Sequence, residues 1–276
     1  MGILYNRLLI TLNDSDPDST DYHIALVMLQ HMTSLSSLSI QELACLCNVS
    51  KSTISKFIRV LGYEDFADFR NAAVFRDNKY DNPFNFVHDV LGFLKNNPGD
   101  SYLLTLLRDM QESYASLDWT MVDRLVVDLA SHERVGAFGM MFSESAALDF
   151  QIKLGYSGKF IITNLNDRKQ MHFLRHADEN TLVIIFSDSG DYINRYSNIQ
   201  DFIRKNDFDD TKAKVVLITS NPRAAQDPRI AYSILYRRTG TLHTHRIVYQ
   251  MLTDLIAYKY RTYVETNGKI LPAVKD

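Results

Sequence analysis

Cysteine is almost missing from this chain, and the two that are present sit too close together to staple anything. Cys45 and Cys47 are the only cysteines among 276 residues. Residues that near each other cannot close a loop of useful size, and no Cys/His framework of metal-ligand spacing surrounds them. A disulfide-built scaffold and a structural zinc site are excluded, and both thiols are expected to be small buried residues of a reduced protein. Proline and glycine are also sparse, at 6 and 11 residues, which argues against long disordered stretches. Neither sign of charge dominates. A net charge of −3 and a pI near 6.2 exclude a whole-chain positive field, so any contact with nucleic acid must come from a local basic patch. No apolar run reaches membrane-spanning length, and the opening MGILYNRLLITLND lacks the basic region and cleavage site of a signal peptide. The expectation is a soluble, cytoplasmic protein with no membrane partner. Nucleotide-type glycine loops, defensible Ser/His/Asp constellations, internal repeats and low-complexity segments are likewise missing.

What is plentiful is apolar material, 46% of residues, enough for two packed domains at this length. To about Phe75 the periodicity is helical, with Tyr22–Met32 as a core helix and Asp14–Asp21 as a polar loop. Turn residues (Asp77, Asn78, Asp81, Asn82, Pro83, then Asn96, Asn97, Pro98, Gly99) flank a short helical piece from Phe86 to Leu94 and mark an inter-domain connection. Beyond Ser101 a long helix gives way to alternating strands and helices. Strands are expected at Arg134–Phe138, Lys159–Thr163, Leu182–Phe186 and Lys214–Thr219, with Tyr232–Tyr236 as a fifth candidate. Helices are expected at Glu144–Gly155, Asp167–Leu174, Ile193–Lys205 and from His245 to Tyr263. Short apolar strands separated by helices imply a parallel sheet covered on both faces. The predicted division is a helical domain over 1–76, a connecting segment over 77–105 and an α/β domain over 106–276.

The segment from Ser39 to Phe66 carries the clearest motif. Ser39 and Glu42 form a capping box that starts a helix at Ile40. Leu43, Ala44 and Leu46 can face inward, and Ala44 is small where a second helix must cross. Asn48 tolerates a left-handed turn, Val49 plugs the space between the two helices and Ser50 caps the second. Ile54, Phe57, Ile58 and Leu61 give that helix an apolar face, and Gly62 ends it. The opposite face carries Lys51, Ser52, Thr53, Ser55, Lys56 and Arg59. Cations, small hydroxyls and no acid suit a helix that enters the major groove of double-stranded DNA. A basic face by itself also describes an ordinary solvated helix; the cap, turn and core spacing favour the helix-turn-helix.

These residues resemble the N-terminal domain of the RpiR family of bacterial regulators. The resemblance rests on Glu42-Leu43-Ala44, Val49-Ser50, Thr53-Ile54, Phe57, Leu61-Gly62 and Asp65-Phe66 with Phe69. Lys56 stands where the family often has arginine, and Tyr63-Glu64 precede Asp65 in place of the usual pattern.

In the α/β region, Gly139 and Ser143-Glu144-Ser145 follow the first strand, and Ser187-Asp188-Ser189-Gly190 follow the strand ending at Phe186. Both lie where open parallel sheets bind ligands, and hydroxyls with free N–H groups at a helix start suit a phosphate. The plain alternative is a pair of ordinary N-capping serines. Together these segments resemble the SIS (sugar isomerase) domain, from about Val122 to Tyr260. The resemblance implies a phosphosugar effector held by Ser143, Ser187 and Ser189, with Gly190 permitting close approach. The chain departs from the family pattern at Met141, where the second glycine of the first loop usually stands, at Tyr192, where a threonine usually stands, and at Ala225-Gln226-Asp227-Pro228. Asp188 adds a carboxylate beside the expected anion, and like charge disfavours binding.

His172 and His176, four apart, lack a third metal ligand and are read as surface or capping residues, and His243 and His245 are too isolated to support catalysis. Tyr249, Tyr258, Tyr260 and Tyr263 are assigned to core or dimer contacts. No cofactor is expected. The leading function is a ligand-responsive transcription regulator, not an enzyme, that binds a DNA operator as a homodimer or higher homo-oligomer and is controlled by a phosphorylated sugar. A DNA-binding dimer whose SIS domain binds no ligand and a sugar-phosphate isomerase are the alternatives.

Overall fold

In a computed structural model of the chain, the residues described are 3–74, 87–194, 207–239, 242 and 244–268. They form two compact units, Met1–Leu91 and Gly92–Asp276.

The first unit is helical: α1 (Ile3–Asp14), α2 (Thr20–Gln30), α3 (Ile40–Leu46), α4 (Lys51–Val60) and α5 (Phe66–Ala72). Each start is chemically marked. Ser19, Ser39, Ser50 and Asp65 accept hydrogen bonds from the first-turn N–H groups of α2, α3, α4 and α5, which satisfies donors with no partner inside the helix. Ser39 and Glu42 complete the capping box in both directions. Hydrogen bonding to Ser39 holds the Glu42 carboxyl below its ordinary range.

Two helix ends share one device. After α3, Asn48 takes φ 52°, Val49 N–H reaches Ala44 C=O at 2.9 Å and Asn48 N–H reaches Cys45 C=O at 3.0 Å. After α4, Gly62 takes φ 93°, with Tyr63 N–H on Ile58 C=O at 3.1 Å and Gly62 N–H on Arg59 C=O at 2.9 Å. Both are Schellman closures. The first makes the turn of the helix-turn-helix. One core results, built from Leu4, Leu8, Ile24, Met28, Leu43, Ala44, Ile54, Phe57, Ile58, Leu61 and Phe69.

Two inward assignments need correction. Leu46 is exposed and Cys47 is buried in its place, because positions 43, 44 and 47 share one face of α3 and 46 falls beyond it. Cys45 is exposed as well. Burial pushes the Cys47 thiol up to about 11, so it stays protonated and unreactive.

The second unit begins near a π-type turn at Val87–Leu91, followed by α6 (Gly92–Asn96), α7 (Gly99–Ala115) and α8 (Trp119–Ser131). It continues through β1 (Arg134–Gly139), α9 (Glu144–Gly155), α10 (Asp167–Arg175), β2 (Thr181–Phe186), α11 (Asp191–Asn194), α12 (Asp207–Asp210), β3 (Lys214–Thr219), β4 (Tyr232–Leu235) and α13 (His245–Thr266). The described strands form one parallel sheet in the order β1-β2-β3-β4. Side chains alternate between its faces. Leu182, Ile184 and Phe186 join the core shared with α8, α9 and α13. Val183 and Ile185 join the opposite one, with Met171, Phe173 and Phe208. A sheet covered on both sides explains why β2 reads as an unbroken apolar run.

The expected strand at Lys159–Thr163 is reduced to a single parallel bridge, Gly136 to Ile162. Ile162 N–H donates to Val135 C=O at 2.8 Å and Ala137 N–H to Ile162 C=O at 2.9 Å. The segment pairs on one side only and buries only Ile161 among Phe160–Ile162, too little to hold an extended ladder. The helix expected over Ile193–Lys205 is described only within Asp191–Asn194, and the rest lies outside the described residues.

Because Asn48 holds a left-handed conformation that side chains with a Cβ disfavour, Asn48→Ala is expected to lower stability by about 1 kcal/mol, and Asn48→Gly to leave it unchanged or slightly raised. Urea denaturation of the two variants beside the parent chain checks the opposite directions.

Candidate DNA-binding face and anion site

On α4 the apolar residues Ile54, Phe57 and Ile58 are buried, while Lys51, Ser52, Lys56 and Arg59 are exposed and Thr53 and Ser55 are partly exposed. Among the described residues no ion pair engages Lys51, Lys56 or Arg59. All six candidates therefore lie outside the core face, and their cations are available to replace counterions on a phosphate backbone. Ser50 Oγ lies 2.7 Å from Ser52 Oγ and 2.9 Å from Thr53 Oγ1, so these hydroxyls cluster at the helix start. The first-turn N–H groups and the helix dipole there favour an anion.

The candidate anion loops meet at the carboxyl edge of the sheet. Gly139 ends β1 where the chain doubles back: a Cβ at this position would stand 2.5 Å from the carbonyl oxygen of Ser143. Met141, in place of the family's second glycine, nevertheless adopts φ 55°. The left-handed turn is thus held by a residue whose side chain disfavours it by about 1–2 kcal/mol. Gly190 has φ 82°, and a Cβ there would lie 2.2 Å from the Ala224 methyl, so only glycine fits.

The serines serve the local backbone. Ser187 Oγ accepts from Tyr192 N–H at 3.2 Å and Ser189 Oγ from Asp191 N–H at 3.3 Å. A hydroxyl that accepts in this way still has its proton to donate, so capping does not disqualify either from contacting an anion. Ser143 and Ser187 are buried, and Ser189 is partly exposed.

Asp188 does not face an open anion site. Tyr236 Oη donates to its Oδ1 at 2.6 Å and Arg238 to its Oδ2 at 2.7 Å. Thr219 Oγ1 donates to its main-chain carbonyl at 2.9 Å. The expected repulsion is thereby answered from within: the carboxylate is neutralised by its own arginine. Burial holds the Tyr236 phenol well above its ordinary range, so it stays protonated and can donate. Tyr249, fully buried and also raised by burial, donates to Ile218 C=O of β3 at 3.3 Å and packs edge-on against the Tyr236 ring. Tyr192 likewise turns inward. Its hydroxyl donates to Gln170 Oε1 at 2.5 Å, and Gln170 in turn donates to Gly139 C=O at 3.1 Å.

Arg238 and Tyr236 were not singled out in the sequence, although their place just past β4, at the carboxyl end of a parallel strand, is the signal that finds them. Beyond them, Thr239 donates to Asp109 Oδ1 through its N–H at 2.8 Å and its hydroxyl at 2.9 Å, and Thr244 donates to Asp109 Oδ2 at 2.6 Å. Asp109 is a fully buried residue of α7, so α7 anchors the segment that carries Arg238.

His172 and His176 stack at 4.1 Å, with His176 Nδ1 on the His172 carbonyl at 2.8 Å. Among the described residues no group of three or more potential ligands is placed to hold a metal. His243 lies outside the described residues. Tyr249 and Tyr260 are core, whereas Tyr258 is exposed. Among the described residues no helix is long and apolar enough to cross a membrane.

Residues 9–74 match the family described as "Helix-turn-helix domain, rpiR family". The N-terminal unit carries an rpiR-family helix-turn-helix domain. The chain is also 21% identical over 198 residues to an uncharacterized HTH-type transcriptional regulator in the aarA 3′ region of Providencia stuartii, covering 69% of this chain and 67% of that protein. The fold is similar to that of the Vibrio vulnificus NanR protein complexed with ManNAc-6P, at a TM-score of 0.51, 17% identity and coverage of 96% and 94% of the two chains. The sugar isomerase domain of an RpiR transcription factor from Sphaerobacter thermophilus aligns with 60% of this chain and 94% of that one, at 14% identity and a TM-score of 0.43. The architecture is thus a helix-turn-helix unit that matches the rpiR family, followed by an α/β unit whose fold is similar to that of the NanR structure.

Asp188→Ala would strand Arg238 and Tyr236 in a buried site. A loss of about 3–5 kcal/mol is expected, with a smaller loss for Asp188→Asn, whose carbonyl can still accept. Urea denaturation of both variants measures the difference.

Proposed function

We propose that this chain is a cytoplasmic DNA-binding transcription regulator, controlled by a phosphorylated sugar and not itself an enzyme. The observation that carries the reading is the unpaired basic face of α4 in an rpiR-type helix-turn-helix, joined in one chain to a SIS-like unit. The DNA-contacting residues in this reading are Lys51, Ser52, Thr53, Ser55, Lys56 and Arg59. The DNA-binding domain spans 1–76, the connection 77–105 and the sensing and dimerising domain 106–276. Two copies bind a palindromic operator, because one short recognition helix reads too few base pairs for a useful specificity ratio.

The effector's phosphate is assigned to Ser143, Ser187, Ser189 and Gly190 at the carboxyl edge of the sheet. The NanR structure with ManNAc-6P supports a phosphorylated sugar as the class of ligand for that protein, and the shared fold is the ground for extending it here. Control requires that the sugar bind two arrangements of the protein unequally. A second reading, an α/β unit that takes no small ligand, is favoured by the Asp188–Arg238 pair, since the cation at this edge is already neutralised.

Lys56→Ala and Arg59→Ala are expected to weaken operator binding and to lower the salt dependence by about 0.9 in log–log slope for each phosphate no longer neutralised. Fluorescence anisotropy over a salt series checks this, and unchanged affinity would remove α4 from the interface. Separately, calorimetric titration with a panel of phosphosugars is expected to show micromolar binding that Ser189→Ala weakens at least tenfold. Silence across the panel would favour the second reading.

A further inference from the structure

Among the described residues, and apart from the exposed leucines of α7, the α/β unit presents an apolar stripe along α9 that its own fold does not use. Leu148, Ile152 and Tyr156 recur every four residues along the outer side of α9 and just past its end, which makes them one stripe. The chain then turns back, with Lys159 N–H on Leu154 C=O at 3.0 Å. Gln151 Nε2 holds the returning segment against the helix through Ile161 C=O at 2.7 Å. Phe160 and Ile162 therefore lie beside the stripe, with Leu165 a few residues further along the chain. Tyr156 is 73% exposed and Phe160 81%; the other four are also exposed. At about 150–250 Å² for a whole aromatic side chain, the six leave on the order of 500 Å² of apolar surface in water. That is near the upper end of what soluble monomers show, and more than half of the ~800 Å² that each partner buries in a standard interface.

The charges of this region point elsewhere. Lys153 pairs with Asp149 at 2.6 Å and with Asp254 of α13 at 2.7 Å, and Lys159 donates to the His132 carbonyl. No other charged residue occurs between 145 and 166. A two-fold contact sets a patch against its own copy, so any net charge on it meets itself and repels. An uncharged apolar stripe is free of that penalty and offers nothing to a charged partner.

We propose that this face, Leu148, Ile152, Tyr156, Phe160, Ile162 and Leu165, is where a second copy of the chain docks. The inference rests on the dimeric reading of the regulator and names the surface that makes the dimer. It also sets the contact beside the candidate anion loops. Gln170 donates to both Asn164 C=O, at 2.6 Å, and Gly139 C=O, at 3.1 Å, so the edge of the patch and the loop after β1 share one side chain.

The test is sedimentation of the full-length chain across a concentration series. The parent is expected to dimerise in the micromolar range. Ile152→Glu combined with Phe160→Glu is expected to raise the dissociation constant at least about 100-fold, as removal of a central apolar anchor does. Circular dichroism should stay unchanged, because both side chains are exposed. Tyr156→Ser with Phe160→Ser, beyond the helix, is the milder pair should the charged one disturb folding, and at least a tenfold weakening is expected. Leu104→Glu with Leu107→Glu, on the exposed side of α7, is the control and should dimerise like the parent. A dimer that survives both patch variants but is lost in the α7 variant overturns this assignment and leaves the dimeric regulator standing. A monomeric parent overturns both.

Discussion

A carboxylate inside a protein must be matched by donors, and the second unit of this chain is organised around three of its buried aspartates. Asp188, at the end of β2, is held by Tyr236 and Arg238 from beyond β4. Asp109, in α7, is held by Thr239 and Thr244. Asp128, in α8, is held by Lys214 and Tyr232 at the amino-terminal ends of β3 and β4. Burying such a group without partners is prohibitive, and removing one partner strands the others. The consequence is geometric. Segments far apart in sequence are locked to one another at both ends of the sheet, and the loops at the carboxyl edge are positioned by charge as much as by apolar packing.

The same matching changes what the carboxyl edge can do. The inward Asp188 removes the repulsion that its place beside two serines implies, but it also engages Arg238 in an ion pair. Asp109 extends the arrangement into α7, near the start of the second unit. The loop after β2 is therefore bonded, through Arg238 and Thr239, to α7.

The first unit obeys a different logic. Its order comes from side-chain caps at four helix starts and two Schellman closures, and its core is apolar. These are local devices, with partners within a few residues, which is why those at Ser39, Glu42, Asn48, Ser50 and Gly62 could be read in advance, although the caps at Ser19 and Asp65 were not. The errors there, Leu46 and Cys45, are errors of a single position in helical phase. At the bulk level, the strands β1 to β4 and helices α9, α10 and α13 were equally legible, because their apolar periodicity is also local. The segment at 159–163 failed because strand character depends on having a partner along its whole length, and apolar content does not report that.

The sequence by itself determined the two-part organisation, the helix-turn-helix with the basic face of its second helix, and the alternation that makes a parallel sheet, since each of these is encoded at spacings of one to seven residues. Only the tertiary structure decided which way Asp188 and Tyr192 turn, that Met141 keeps a glycine-like turn, and that Arg238 and Asp109 belong with the candidate site. Asp188 is separated from its arginine by 50 residues and Asp109 from Thr239 by 130. At such separations no local rule selects the partner, and only the packing that closes the sheet brings the groups within hydrogen-bonding distance.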